Sequence, residues 1–151
     1  MTTIDPATLS TLSSDDFAKA VGAMTDKEVL AMMTGPDREV VLSEVFRRFP
    51  ERYVPARIGE ATEVVQIWVT GGPNGKDAYE ITATPQACTV RKDPTSDDAF
   101  NASLLMGPVE LAKLTTGRAN PIFLVMRGKI KLRGDLAIAA RFSSYFDLPS
   151  T

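Results

Sequence analysis

Few side chains in this sequence could carry covalent or acid-base chemistry. Histidine is absent from all 151 residues, which removes the most common general base, proton shuttle and metal ligand of proteins. The single cysteine, Cys88, lies inside the alternating stretch Ala87-Cys88-Thr89-Val90, where nothing nearby in sequence would activate it. We therefore predict a buried packing thiol. One sulfur without an imidazole also argues against a zinc site, and we predict neither a metal nor a cofactor.

The glycine-rich and acidic segments have structural explanations. Gly71-Gly72 and Gly75 separate two predicted strands instead of preceding a helix, so they predict a hairpin loop and not a phosphate-binding loop. The pairs Asp15-Asp16 and Asp97-Asp98 fall at the starts of predicted elements, where helix capping and solvation account for them. No spacing of carboxylates or tyrosines favours catalysis, and we predict that the chain is not an enzyme.

The composition is that of one globular domain, with 44% hydrophobic and 24% charged residues. The 17 basic and 19 acidic residues leave a net charge of -2, which excludes the strong positive field that nucleic-acid binding requires. The N-terminus lacks a basic region followed by an apolar run, and no segment approaches the roughly 18 apolar residues of a membrane span. We therefore expect a cytoplasmic protein without a transmembrane segment.

A basic cluster follows the third predicted helix. Its members are Arg47, Arg48, Arg52 and Arg57. Such a cluster could attract anionic lipid head groups and make transient contact with a membrane. Glu44 stands four residues before Arg48, and Glu51 stands beside Arg52. A solvated and partly neutralised face is therefore the favoured interpretation.

The first third of the chain predicts three helices. Apolar residues recur at helical spacing from Phe17 to Met24, after a potential N-cap at Ser13. Thr25-Asp26-Lys27-Glu28 has the form of a capping box and opens the second helix. The third helix carries another apolar stripe, and Pro50 ends or kinks it.

The hydrophobic period changes after residue 61, and all five predicted strands follow. Alternating and β-branched stretches predict strands over residues 62–70, 77–84, 86–92, 98–106 and 127–133. A short helix from Gly107-Pro108 to Gly117 precedes the last strand. Asp135 can cap a final helix, in which one wide apolar stripe is formed by Ile138, Ala139, Phe142, Tyr145 and Phe146. This helix must cover an apolar surface.

One segment resembles the signature of the sterol carrier protein two family. Gly128-Lys129-Ile130-Lys131-Leu132-Arg133-Gly134-Asp135 fits the form G-K-[IL]-K-[VL]-x-G-D, which in that family leads into the final helix. Leu111, Leu114 and Gly117 match the preceding leucine-rich helix, which a short helix follows in the family. The tail is similar to that of the compact bacterial, especially actinobacterial, members.

The resemblance implies an α+β fold, with a five-stranded, mixed and mostly antiparallel sheet covered by helices. Residues 1–35 are not accounted for by the minimal family domain. We predict that they form an extra N-terminal helical segment of a single domain, residues 1–151, whose family-like core spans residues 36–151.

The resemblance also implies an apolar tunnel and a non-enzymatic carrier for a fatty acid, a sterol, an acyl-coenzyme A or a phospholipid. We predict that the pocket is lined by apolar side chains of the strands and later helices, namely Trp68, Phe100, Leu104, Met106, Leu111, Leu114, Phe123, Met126, Ile130, Ile138, Phe142 and Phe146. For each of these residues, the alternative to ligand contact is ordinary packing in the core. The final helix is the predicted lid, because few residues follow it.

A second hypothesis belongs to a different class of protein. The chain would be an accessory or protein-interaction domain with a filled core, which binds a protein partner, a second copy of itself or the substrate of an enzyme. A third hypothesis, an enzyme that acts on a bound lipid, has no support in the spacing. The sequence leaves the lipid, the oligomeric state and the role of residues 1–35 open.

Overall fold

The computed structural model describes residues 11–73, 75–95 and 98–147. Residues 1–10 of the predicted extension, Asn74 and residues 96–97 in two predicted loops, and the tail 148–151 lie outside these ranges. The helices are α1 (Ser14–Gly22), α2 (Asp26–Thr34), α3 (Arg38–Arg47), α4 (Phe49–Arg52), α5 (Pro108–Thr115), α6 (Pro121–Met126) and α7 (Leu136–Phe142). The strands are β1 (Glu63–Gly72), β2 (Gly75–Ala83), β3 (Cys88–Lys92), β4 (Ala102–Met106) and β5 (Ile130–Gly134).

The strands form one five-stranded sheet in the order β3-β2-β1-β4-β5. The pairs β1/β2, β2/β3 and β4/β5 are antiparallel, and β1/β4 is parallel. After β3 the chain therefore crosses to the far side of β1 before β4 begins. The predicted α+β fold with a mixed, mostly antiparallel sheet is confirmed.

The helices pack on one face of the sheet. Val65, Ile67 and Val69 alternate toward this face along β1, and all three are buried in the core cluster that the helices share. Gln66 and Trp68 of the same strand point to the opposite face. None of the described helices is long and apolar enough to cross a bilayer.

The three predicted helix caps are present. The Ser13 hydroxyl accepts from the backbone N–H of the third residue of α1, at 3.1 Å. Thr25 and Glu28 satisfy each other's backbone N–H groups at 3.1 and 2.9 Å, which confirms the capping box. Asp135 accepts from two N–H groups in the first turn of α7, at 2.8 and 3.3 Å. These short-range signals correctly placed the helix starts.

Strands β4 and β5 begin later than predicted. Residues 98–101 are not a strand, because the side-chain Oδ1 of Asn101 accepts a backbone N–H of β1 at 2.7 Å before the regular ladder starts. Residues 127–129 are not a strand either, because they complete the end of α6, where Arg127 N donates to Phe123 O at 3.0 Å. In both places side-chain or helical hydrogen bonds replace the predicted strand pairing.

Arg38 is buried at the start of α3 and joins three elements. Its Nε donates to Asp77 Oδ2 of β2 at 2.8 Å. Its Nη1 donates to the carbonyls of Met33 and Thr70 at 3.0 and 2.9 Å, and its Nη2 donates to that of Val69 at 2.8 Å. The guanidinium therefore donates to three backbone carbonyls as well as to the Asp77 carboxylate.

Two glycines are required by close packing. A Cβ atom at Gly72 would lie 2.9 Å from Arg38 Nε and 3.1 Å from Asp77 Oδ2. Gly134 has a φ of +93°, and a Cβ atom there would clash with the carbonyl oxygen of Asn101. Gly72 thus has a role beyond hairpin flexibility, and Gly134 lets the end of β5 pass close to the neighbouring backbone.

Candidate binding cavity

A small apolar cavity lies between the helices and the sheet. Its volume is about 50 Å³; Ile67 of β1 and Leu104 of β4 contribute the sheet side of its lining, and α5 and α7 contribute the helical side. Its lining residues are Phe49, Ile67, Leu104, Leu111, Leu114, Thr115, Pro121, Ala139, Phe142, Ser143 and Phe146. The Thr115 hydroxyl donates to the Leu111 carbonyl at 2.9 Å, so it is already satisfied inside its own helix. The cavity therefore favours an apolar ligand.

Phe146 is the centre of the aromatic side of this cavity. Its ring centroid lies 5.1 Å from that of Phe49, 5.3 Å from that of Phe142 and 5.6 Å from that of Tyr53. The contact with Phe49 is edge-to-face, at an interplanar angle of 84°. Such contacts hold flat rings in place without filling all the space between them.

Three neighbouring voids meet at Thr115. The cavity of about 50 Å³, a void of about 30 Å³ beneath α1 and a void of about 10 Å³ beneath α2 all include this residue in their linings. Phe49 also lines the first two. The packing around α5 is therefore looser than a filled core, and the Phe49 side chain lies between two of the voids.

An open cleft of about 640 Å³ adjoins the cavity. The cleft runs between the segment from Gly117 to Arg127 and the end of α7, and it shares Leu114, Pro121, Ser143 and Phe146 with the cavity. These shared side chains form the boundary between the enclosed space and solvent. Within the described part of the chain, we take this boundary as the mouth of the cavity.

Two arginines contribute to the lining of the cleft. Arg118 and Arg127 line it, as does Asp147. Neither arginine forms an ion pair with a carboxylate among residues 11–73, 75–95 and 98–147. An apolar cavity that opens into a cleft with available cations suits an amphipathic ligand whose polar end is anionic.

Five of the predicted pocket residues line the cavity. They are Leu104, Leu111, Leu114, Phe142 and Phe146. Met106 and Ile130 are buried as cross-strand partners in the sheet, and Ile138 packs partly buried against the core. These three therefore belong to the surrounding core in this structure and not to the cavity lining.

Four predicted residues lie elsewhere. Trp68 is on the opposite face of the sheet, where Lys76 stacks over its ring at 5.5 Å. Phe100 lies on that face too, beneath the Arg133 guanidinium at 5.5 Å. Phe123 is 61% exposed and lines the cleft, and Met126 is 77% exposed at the surface of α6.

The sequence reasoning missed six lining residues, namely Phe49, Ile67, Thr115, Pro121, Ala139 and Ser143. Ile67 shares its face of β1 with Val65 and Val69, and the buried alternation of that strand was the available signal. Ala139 lies in the predicted apolar stripe of α7, but its small side chain gave no indication of a pocket. Phe49 turns inward because α3 ends before it and α4 restarts with Pro50 in its first turn.

Hydrogen bonds join the chain after α7 to the end of α4 and to the residues that follow it. Val54 N donates to Tyr145 O at 2.8 Å, and Asp147 N donates to Arg52 O at 2.7 Å. The Arg52 guanidinium donates back to Asp147 O at 2.9 Å. These hydrogen bonds hold the predicted lid in place just beyond the end of α7, although few residues follow it.

A buried carboxylate lies near the end of α7, outside the cavity lining. Glu63 is 4% exposed, and its Oε2 accepts from Tyr145 Oη at 3.2 Å and from Arg141 Nη2 at 3.4 Å. Burial raises the pKa of the Tyr145 hydroxyl. The tyrosine thus remains a neutral donor at ordinary pH, and the cluster ties α7 to the start of β1.

Cys88 has the environment of an inert thiol. It is 7% exposed, and burial raises its pKa to about 12. We expect the native protein to react with a thiol reagent such as dithionitrobenzoate at pH 8 far more slowly than the unfolded chain, by roughly a hundredfold or more. The absorbance change with and without denaturant measures this. Equal rates in the two states would contradict it.

Comparison with known proteins adds a family match. A model of the SCP-2 sterol transfer family matches residues 42–147, a range that contains the cavity and the cleft. This match confirms the resemblance inferred from the segment Gly128 to Asp135. No curated protein sequence matches the chain.

Solved structures share the fold at low sequence identity. Palmitated SCP2L2 from Aedes aegypti is 14% identical, with a TM-score of 0.53 over 73% of this chain and 97% of that one. The ubiquinone synthesis protein UbiJ-SCP2 is 17% identical, with a TM-score of 0.53 over 73% of this chain and 96% of that one. The alkylsulfatase Pisa1 from Pseudomonas sp. is 15% identical, with a TM-score of 0.62 over 97% of this chain.

The alkylsulfatase match has two consequences for the fold. The match covers only 26% of the length of that enzyme, so the shared fold accounts for about a quarter of the enzyme. It covers 97% of this chain and therefore includes helices that precede the family match at residue 42. The N-terminal helices thus recur with the sheet in another structure.

Proposed function

Because the chain belongs to the SCP-2 sterol transfer family, we propose that it is a non-enzymatic carrier that binds one single-chain lipid with an anionic head. The observation that carries this proposal is the continuity of an apolar cavity with a cleft that contains Arg118 and Arg127. The apolar tail would enter between α5 and α7, and the head would stay in the cleft. A cytoplasmic location remains a prediction from the sequence.

The cavity must expand to hold a lipid tail. Its volume of about 50 Å³ is far below the roughly 300 Å³ at which ligand pockets usually begin. The adjoining void beneath α1 and the cleft provide the missing length, separated by the rings of Phe49 and Phe146. Rotation of these two rings would join all three spaces without moving the sheet.

Burial of the tail supplies enough free energy for useful affinity. Each methylene transferred from water into the cavity contributes about 0.8 kcal/mol, so ten methylenes contribute about 8 kcal/mol before the costs of ordering and ring rotation. The palmitated state of the Aedes aegypti neighbour supports a saturated acyl chain as the first ligand to test.

The proposal is tested with a substitution that fills the cavity. Ala139 is 2% exposed and lines the cavity, so Ala139→Leu places three additional carbons in the space proposed for the tail. We expect its affinity for a fluorescent fatty acid to fall by about tenfold or more, with the melting temperature kept or raised. Ala137→Leu is the matched control, because Ala137 is exposed on the same helix.

Native mass spectrometry and organic extraction of the purified protein complete the test. A co-purified lipid that is lost from Ala139→Leu and retained by Ala137→Leu is the expected result. A wild-type protein that does not bind fatty acids, sterols or acyl-coenzyme A would contradict the carrier function. That outcome would instead favour an accessory or interaction domain with a filled core.

A further inference from the structure

Helix α6 presents an apolar side to solvent. Its six residues, PIFLVM, include no polar side chain. Leu124 is 7% exposed and fastens one side of the helix to the core, but Phe123 is 61% exposed and Met126 is 77% exposed. A helix that is apolar all round normally lies inside a protein or against another apolar phase. The exposed side of α6 therefore presents apolar side chains to water, where they are not packed against other apolar groups.

The segment around α6 is strongly basic. Residues 117–134 contain five of the 17 basic residues of the chain and none of its 19 acidic residues. They are Arg118, Arg127, Lys129, Lys131 and Arg133. This stretch carries a charge of +5 in a chain whose net charge is -2. Within the described part of the chain, none of the five forms an ion pair.

We infer that α6 is the docking surface of this protein for an anionic lipid bilayer. Phe123 and Met126, three residues apart on one side of the helix, enter the boundary between head groups and acyl chains. Arg127 and Lys129, directly after the helix, bind the lipid phosphates. Apolar insertion and cationic attraction reinforce each other when they are side by side, as they are here.

Charge complementarity favours the bilayer over a second copy of the chain. A two-fold interface brings the same patch of each copy together. It would place Arg127 and Lys129, which directly follow α6, near the same two cations of the other copy. An anionic membrane covers the same apolar side chains and neutralises these cations.

The docking surface borders the mouth of the cavity. Phe123, Leu124 and Arg127 line the cleft through which the cavity opens. Docking through α6 would therefore bring the cleft to the membrane surface, where a lipid could move between bilayer and protein. This delivery role rests on the proposed carrier function, but the binding of α6 to membranes does not.

Vesicle co-sedimentation tests the inference on the full chain. We expect the wild type to bind vesicles of phosphatidylcholine with about a third phosphatidylglycerol, and to bind pure phosphatidylcholine more weakly. Met126→Glu should weaken binding by about tenfold, and the double substitution F123E/M126E should abolish it. Val40→Glu is the matched control, because Val40 is 44% exposed on a different helix. Thermal melts establish that each variant is folded.

A second variant tests the charges separately. Arg127→Glu combined with Lys129→Glu should remove binding to anionic vesicles while leaving the apolar side of α6 intact. A wild type that does not bind anionic vesicles would overturn the inference, as would F123E/M126E binding as well as Val40→Glu. A dimer that dissociates in F123E/M126E, without vesicle binding by the wild type, would also overturn it in favour of self-association.

Separate measurements of fatty-acid binding and vesicle binding distinguish failure of the carrier function from failure of the docking surface at α6. Met126 lies outside the linings of both the cavity and the cleft, so Met126→Glu should retain fatty-acid binding in the absence of membranes. A wild type that binds anionic vesicles but takes up no fatty acid contradicts the carrier function and leaves the docking surface standing. The reverse pattern contradicts the docking surface alone.

Discussion

Arg38→Met is expected to lower the free energy of unfolding by about 2–4 kcal/mol. The Arg38 side chain is 4% exposed and its Asp77 partner 34%, so the ion pair is only partly screened by solvent. The substitution keeps most of the apolar stem but leaves the carbonyls of Met33, Val69 and Thr70 without the donors that they have now. Loss of these buried hydrogen bonds, more than loss of the charge pair, sets the size of the effect.

Arg47→Met is the matched control for this prediction. Arg47 lies on the same helix and pairs with Glu44 and Glu51, but its side chain is 46% exposed. Its loss should cost no more than about 1 kcal/mol. Urea denaturation of the two variants measures both values. Equal stability losses would mean that the buried network around Arg38 contributes no more than a surface ion pair.

Local signals in the sequence located helix starts well, because each depends on a few adjacent residues. The capping box at Thr25 and Glu28 and the cap at Asp135 needed no information from the rest of the chain. The Arg38 network could not be predicted in this way. Its acceptors come from α2 and the hairpin of β1 and β2, and only the folded chain brings them to one guanidinium.

The direction of side chains in β1 explains part of the difference between the predicted pocket residues and the observed cavity lining. Both faces of this strand carry large apolar residues, with Ile67 and Val69 on one and Trp68 on the other. Alternation predicts that they separate but not which set meets the helices. The pocket prediction included Trp68, whereas the register with β4 places Ile67 opposite Leu104 beside the cavity. The apolar stripe predicted for the last helix was less ambiguous. The helix ends at Phe142, earlier than predicted, so Phe146 lies beyond α7, but both rings line the cavity.

The signature segment indicated the family because of its backbone requirements more than its apolar residues. Gly134 must be glycine where β5 passes Asn101, and Asp135 then caps α7. Asp135 N also donates to Asn101 O at 2.8 Å, which fixes the start of the last helix against β4. These constraints specify the fold and position α7 over the sheet. They leave the shape of the cavity to side chains far away in sequence, Phe49 among them.

Phe146→Ala is expected to have large effects on both stability and ligand binding. Phe146 is 4% exposed and touches three other rings, so its truncation should lower the free energy of unfolding by about 3–5 kcal/mol. It also lines both the cavity and the cleft, so the truncation would join the two spaces. The variant should therefore be destabilised when empty and should gain more stability from a saturating fatty acid than the wild type does.

Phe46→Ala separates the two contributions. Phe46 is 1% exposed and stacks on Tyr79 at 3.9 Å, but it does not line the cavity or the cleft. Its truncation should cost a similar free energy of unfolding, about 3–5 kcal/mol, without joining the cavity to solvent. A ligand at a hundred times its Kd stabilises a folded protein by about 2.7 kcal/mol, which thermal melts with and without fatty acid can resolve. A ligand-dependent gain that is no larger in Phe146→Ala than in Phe46→Ala would show that the ring of Phe146 is core packing and not the boundary between cavity and cleft.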